Sequence, residues 1–295
     1  MMINRLLGNY LVQAGKITQA QLDEVIASQK KVRVKLGLIA VAEKLMTPEQ
    51  ADEVNNLQAI MDKRFGDIAV SKGYLTDEQV TRLLGLQGNA YLTFIQALDD
   101  CEVMTPEEAD AALAEYQKEN AFTATDIDAL KSGDADRIVP LFLPAECEGL
   151  QAELIQGAVR AIIRLIDSDT YVMKASVVSA IEADRFALQD LNGDHEATLS
   201  FAADKDALKA IADVYGQEDF AQVDLDALDA VGEFINCING MFSTKLSGTC
   251  NMDMLPPSYK DARSTAKADK ICVLPVCVNG KVINMLTTFD ETIAF

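Results

Sequence analysis

Three polar side chains in one stretch of helical periodicity are the strongest candidates for chemistry: Asp229, Glu233 and Asn236. They lie at i, i+4 and i+7, so on a helix they form a single column. Leu228, Val231, Ile235, Ile238 and Phe242 cluster within about 80° on a roughly opposite face. The stretch 224–246 therefore reads as a helix that anchors an apolar stripe in a core and displays carboxylates ending in an amide. From spacing alone such a column is a solvated helix face. It could also recognise positive charge through the carboxylates and, through the amide, offer an acceptor and a donor group without charge. It is poorly suited to general-base chemistry, because an exposed carboxylate binds protons weakly near neutral pH.

Other chemistries have less to build on. His195 is the only histidine, so two-histidine mechanisms are excluded and a Ser–His–Asp triad has little support. The six cysteines (Cys101, Cys147, Cys237, Cys250, Cys272, Cys277) form no CxxC pair, and several sit in apolar runs. They read as buried free thiols of a reducing, cytoplasmic compartment rather than a disulfide framework or zinc site. The chain has no GxxxxGK[ST] phosphate loop. Its net charge of −20 repels phosphate backbones and anionic lipid, so nucleic-acid and membrane-surface partners are disfavoured. No run of 18 apolar residues is present to span a bilayer, and no signal peptide is expected.

The elements that must position the column can be read along the C-terminal half. Apolar spacing predicts a helix over 149–168, and β-branched residues predict a strand over 171–181. A hairpin is expected from 186–191 and 197–202, turning at Asn192-Gly193. A helix over 204–214 precedes the long helix, which Gly248 is expected to close. Strands follow at 251–255, 270–277 and 282–289, the last two joined at Asn279-Gly280. Helices around a mostly antiparallel sheet make an α+β domain.

The N-terminal half is a repeat. Thr18, Thr47, Thr76 and Thr105 recur every 29 residues, each followed three positions later by Gln21, Gln50, Gln79 or Glu108. This is the capping-box signature of a helix start. Pro48 and Pro106 fall at first helical positions. Gly8, Gly37 and Gly66 share the period, with Ile95 in the corresponding fourth place. Each unit reads as a short helix, a tight turn and a second helix, and a degenerate terminal unit is usual in such stacks. The expected organisation is two domains: an all-α helical repeat over 1–120, a linker over 121–147, and an α+β domain over 148–295.

The pattern Asp229-x3-Glu233-x2-Asn236, with Pro256 and Pro257 about twenty residues on, resembles the active helix of the CheC/CheX/FliY chemotaxis phosphatases. The single motif resembles the CheX-like branch in particular. That resemblance implies a phosphatase acting on an aspartyl-phosphorylated, CheY-like response-regulator receiver. It implies that Asn236 orients the attacking water and that Glu233 pairs with the receiver's active-site lysine. Asp229, Pro256 and Pro257 would contribute to docking. It further implies that the receiver supplies Mg²⁺, so this chain binds no cofactor, and it suggests a homodimer through sheet edges. A non-catalytic adaptor is the alternative. The first and third repeat units (Leu7-Gly8-x-x-Leu11-Val12-x-x-Gly15 and Phe65-Gly66-x-x-Ala69-Val70-x-x-Gly73) resemble the N-terminal motif of the secretion and pilus ATPases GspE and MshE. That second resemblance implies a cyclic di-GMP-responsive module as a further alternative.

Overall fold

A computed structural model describes residues 2–29, 32–61, 63–204 and 206–295. It forms two compact units, a helical one over Ile3–Gly133 and a mixed one containing Asp134–Phe295. The segment expected as a linker, 121–147, is largely folded, and the units divide between Gly133 and Asp134 rather than around it.

The helical unit pairs short helices: α1 (Met2–Gln13) with α2 (Gln19–Gln29), α3 (Leu36–Ala42) with α4 (Pro48–Met61), α5 (Phe65–Ser71) with α6 (Asp77–Gly85), and α7 (Ala90–Asp100) with α8 (Pro106–Glu119). All four threonine boxes close. The Thr18 N–H donates to Gln21 Oε1 (2.8 Å) and the Gln21 N–H to Thr18 Oγ1 (3.3 Å). The same pair forms at Thr47–Gln50, Thr76–Gln79 and Thr105–Glu108. A further box, Thr123–Asp126, breaks the period and starts α9 (Ala124–Ser132).

The turn between the paired helices keeps the period in its backbone as well. Gly15, Lys44, Gly73 and Glu102, 29 residues apart, are all left-handed, with φ of 66°, 58°, 73° and 55°. In each turn the next N–H donates to the carbonyl five residues back: Lys16 to Leu11, Leu45 to Ala40, Tyr74 to Ala69 and Val103 to Leu98. This closure satisfies carbonyls that the helix end leaves open. The period-related glycines at 8, 37 and 66 mark close helix packing. A Cβ on Gly8 would lie 2.4 Å from Leu22 Cδ1, and one on Gly66 would lie 2.7 Å from Val80 Cγ1. Where Ile95 takes this place, the residue at the same offset in α8 is the small Ala109, and both are buried.

The mixed unit begins with α10 (Ala135–Ile138), a 3₁₀ turn (Val139–Phe142) and α11 (Gly149–Leu165). Strands β1 (Tyr171–Val172), β2 (Ser176–Ala183), β3 (Arg185–Gly193) and β4 (Ala197–Ala203) follow. Next come α12 (Lys209–Gly216), α13 (Leu225–Leu246), β5 (Met252–Met254), β6 (Ser258–Lys260), β7 (Ser264–Val278) and β8 (Lys281–Phe289). One antiparallel sheet runs β1-β7-β8-β4-β3-β5, with β2 also pairing β7 and β6 pairing β3.

Helices α11 and α13 cover one face of the sheet, and α12 packs on α13. Phe201 of β4 stacks on Phe234 of α13 at 6.0 Å. The opposite face buries Phe186, Leu188, Ala202, Val273 and Leu286 with Ala183, Ala266 and Ile293. The β2–β7 ribbon therefore curls back and closes a second core.

The α+β reading of this unit matches its strands and helices, with local differences. The strand expected over 171–181 is two strands. Asn192 and Gly193 lie inside β3, because β5 pairs with them (Asn192↔Asp253, Gly193↔Met252). Gly248 takes no left-handed conformation, and Ser247 is the last residue of α13's C-cap. Among the described residues no helix is long and apolar enough to cross a membrane.

Candidate functional site

Helix α13 starts at Asp224, whose carboxylate accepts from the Ala227 N–H at 3.1 Å. This N-cap satisfies one of the N–H groups that the first turn leaves open. Leu228, Val231, Ile235, Ile238 and Phe242 are all buried, joined by Phe234 and Asn239. The candidate column lies on the other side. Asp229 and Glu233 are exposed and Asn236 is half-buried at the boundary.

Asn236 is held from below. Gln189, in β3 and 1% exposed, donates through Nε2 to Asn236 Oδ1 (2.8 Å) and to the Leu255 carbonyl (2.8 Å). Its Oε1 accepts from Asn239 Nδ2 (2.9 Å). One buried amide thus ties α13 to the segment just before Pro256. The Leu255 N–H is itself pinned to the Asp190 carbonyl at 3.0 Å, and a residue before proline is disfavoured in helical conformation. Pro256 is exposed and Pro257 half-buried, so the structure brings both prolines to the end of the network that holds Asn236.

Asp229 is occupied differently. The Tyr259 hydroxyl donates to Asp229 Oδ1 at 2.9 Å. Its ring lies across the helix at Gly232, where a Cβ would come within 2.6 Å of the ring and of the hydroxyl. Burial pushes the Tyr259 phenol well above its ordinary range, reinforced by the bond to Asp229 and by the charges of Asp229 and Glu233. Tyr215, 5.1 Å from Phe234, is also raised, first by burial, then by Cys237 and Glu233. Glu233 is therefore near both phenols. Among the described residues it makes no hydrogen bond or ion pair. Nor do any three His, Cys, Asp or Glu side chains converge there in a way that could hold a metal ion. The arrangement offers one immobilised amide and one unpaired carboxylate a turn away, on an open surface.

Residues 186–276 match the family model "Chemotaxis phosphatase CheX". The match runs from β3 into β7 and contains Asp229, Glu233, Asn236, Pro256 and Pro257. Similar solved structures span nearly their own whole length on this chain. A chemotaxis protein CheX from Desulfovibrio desulfuricans is 16% identical, over 48% of this chain and 98% of its own, with a TM-score of 0.42. CheX from Vibrio vulnificus is 18% identical, over 49% and 99%, with a TM-score of 0.41. A CheX–CheY–BeF₃–Mg²⁺ complex from Borrelia burgdorferi matches at 18% identity, over 47% and 96%, with a TM-score of 0.39. No curated protein matches the sequence.

Sequence reasoning singled out Glu233 and Asn236 and gave no role to Gln189, Gly232 or Tyr259, while Asn239 stood out only as an unusual residue for a helix interior. Gln189 carried a usable signal: it is the one amide in the apolar run FALQDL, and a buried polar residue in a strand needs a partner. Gly232 carried another, being a glycine in a helix interior.

Proposed function

We propose that the exposed side of α13 docks on a phosphorylated CheY-like receiver and accelerates loss of its aspartyl phosphate. The observation that carries this reading is the pairing of a fixed Asn236 amide with an unpaired Glu233 carboxylate, inside the segment that matches the CheX model. An aspartyl phosphate is already an activated acyl phosphate, so the accelerator mainly has to place a water in line with phosphorus. An amide does this without charge to repel the phosphoryl group. In this reading Asn236 positions the water and Glu233 pairs with the receiver's lysine. Asp229, Pro256 and Pro257 frame the docking surface, and Mg²⁺ comes with the receiver.

The test is dephosphorylation of a CheY-type receiver charged with acetyl phosphate, with and without the full chain. Asn236→Ala should lower kcat by about 10²-fold, the scale of one lost transition-state contact, while binding of the receiver persists. An unchanged rate in Asn236→Ala would sink the assignment. Receiver binding without faster decay by the wild type would point to the adaptor reading.

A further inference from the structure

We infer that Gln189 is a positioning residue that fixes which end of the Asn236 amide faces the partner. One group in this network cannot be reversed. The Leu255 carbonyl only accepts hydrogen bonds, and it lies 2.8 Å from one end of the Gln189 amide. That end must be Nε2, because an oxygen there would face an oxygen. The same Nε2 lies 2.8 Å from the Asn236 amide, so its second proton is directed at Asn236, and the atom facing it must be Oδ1. Oε1 of Gln189 is then left for Asn239, whose Nδ2 donates at 2.9 Å. Reversing Asn239 would set acceptor against acceptor, although its own Oδ1 is buried without a partner among the described residues. Each amide in the chain is thus oriented by the one before it, starting from a backbone oxygen held next to Pro256.

The consequence is that Asn236 turns its NH₂ group outward, and Nδ2 has no protein partner among the described residues. An outward donor holds a water by its oxygen. One lone pair accepts from Nδ2 and the other stays available to face phosphorus. A freely rotating amide would offer its carbonyl about as often, and would hold the water by a proton instead. This refinement rests on the phosphatase reading for its kinetic consequence but not for its geometry.

Two measurements test it separately. A neutron structure of the full chain from crystals exchanged into D₂O shows the deuterons directly. The expected result has those of Gln189 Nε2 on the Leu255 carbonyl and on Asn236 Oδ1. An Asn236 carbonyl turned outward overturns the inference whatever the protein catalyses. In the receiver assay, Gln189→Met keeps the length but not the donors. It should lower kcat at least about tenfold, less than the roughly 10²–10³-fold of losing a donor that itself contacts the transition state, with KM changed less than about twofold. Gln189→Glu regains a donor only when protonated, so its kcat should fall as pH rises while the wild-type profile stays flat. A Gln189→Glu profile parallel to the wild type overturns the inference. If the wild type itself fails to accelerate dephosphorylation, the phosphatase reading falls and the neutron result alone decides.

Discussion

Gly232→Ala is the substitution whose sign depends most directly on the geometry of the site. In a helix interior alanine is favoured over glycine by about 1 kcal/mol, so propensity alone makes the change stabilising. The structure opposes it. An added Cβ would meet Tyr259 Cε1 and its hydroxyl oxygen at 2.6 Å and Cζ at 3.0 Å. Comfortable carbon contacts are about 3.5–4 Å, so the ring must move by about 1 Å or swing away. Asp229 sits on the same helix and cannot follow, which breaks the 2.9 Å bond from the Tyr259 hydroxyl.

A hydrogen bond to a charged group is worth about 1.5–3 kcal/mol, with the low end appropriate to an exposed carboxylate. Lost packing of the half-buried ring adds to that. The balance is a net destabilisation of about 1–2 kcal/mol. In a Tyr259→Ala background the obstacle is gone, and Gly232→Ala should then stabilise by about 1 kcal/mol. The two sites should therefore couple by about 2–3 kcal/mol in a double-mutant cycle, the upper part of the usual range for residues in contact. Urea unfolding followed by far-UV circular dichroism measures this, using the transition that moves with Tyr259→Ala, since two compact units need not unfold together. A Gly232→Ala variant that is more stable in both backgrounds would refute the account of why glycine stands there.

Two other predictions are local. Lys44→Gly and Glu102→Gly should each stabilise the helical unit by about 0.5–1 kcal/mol, because relief of a left-handed residue (about 1–2 kcal/mol) exceeds the entropy glycine adds to the unfolded chain (about 0.5–1 kcal/mol). Gly15→Ala and Gly73→Ala should lose a similar amount with no steric component, since nothing lies within 4 Å of a Cβ at either place; thermal melts check all four. The Tyr259 phenol should ionise well above the ordinary tyrosine range in a 295 nm titration compared against Tyr259→Phe. Its folded pKa is raised, so its contribution to stability is complete below the unfolded value of about 10 and is lost only as pH climbs toward the folded value. Burial is the largest single cause, so Asp229→Asn should lower the phenol's pKa but leave it above the ordinary value; ionisation near 10 in the folded wild type would contradict the packing.

What could be read from the sequence follows from how far apart the deciding partners lie. The four capping boxes were legible because each closes within three residues. The left-handed turns at Lys44 and Glu102 were not, because lysine and glutamate carry no turn signal; there the conformation is imposed by the bonds from Leu45 to Ala40 and from Val103 to Leu98. Asn192-Gly193 gave a genuine turn signal, since the β3–β4 ladder ends at Leu191↔Ala197; non-local pairing with β5 keeps both residues in β3 as the chain leaves that ladder. Glu233 and Asn236 were legible as positions on one helix face. The grip on Asn236 was not, since Gln189 lies 47 residues away in sequence and reaches it only through the register of β3 under α13.

That difference in restraint between the two candidate residues has a measurable consequence. Asn236 is held by a buried amide, so its ordering cost is met during folding and is not charged again when a partner binds. Glu233 is exposed and makes no ion pair among the described residues, so it can reach a cation across a docking interface but must give up side-chain freedom to do so. Residues of these two kinds should separate kinetically. Substituting Asn236 should act on kcat. Glu233→Gln should act on KM and on its salt dependence, because exposed charges interact over a Debye length of only about 10 Å at 0.1 M salt. The whole chain carries a net charge of −20, so some salt dependence remains in any variant, and the informative quantity is the difference in slope of log KM against log salt. Wild type should be steeper than Glu233→Gln, and the two should converge at high salt. Equal slopes, with the loss appearing in kcat instead, would move Glu233 from docking to the chemical step and reverse the roles assigned to the two side chains.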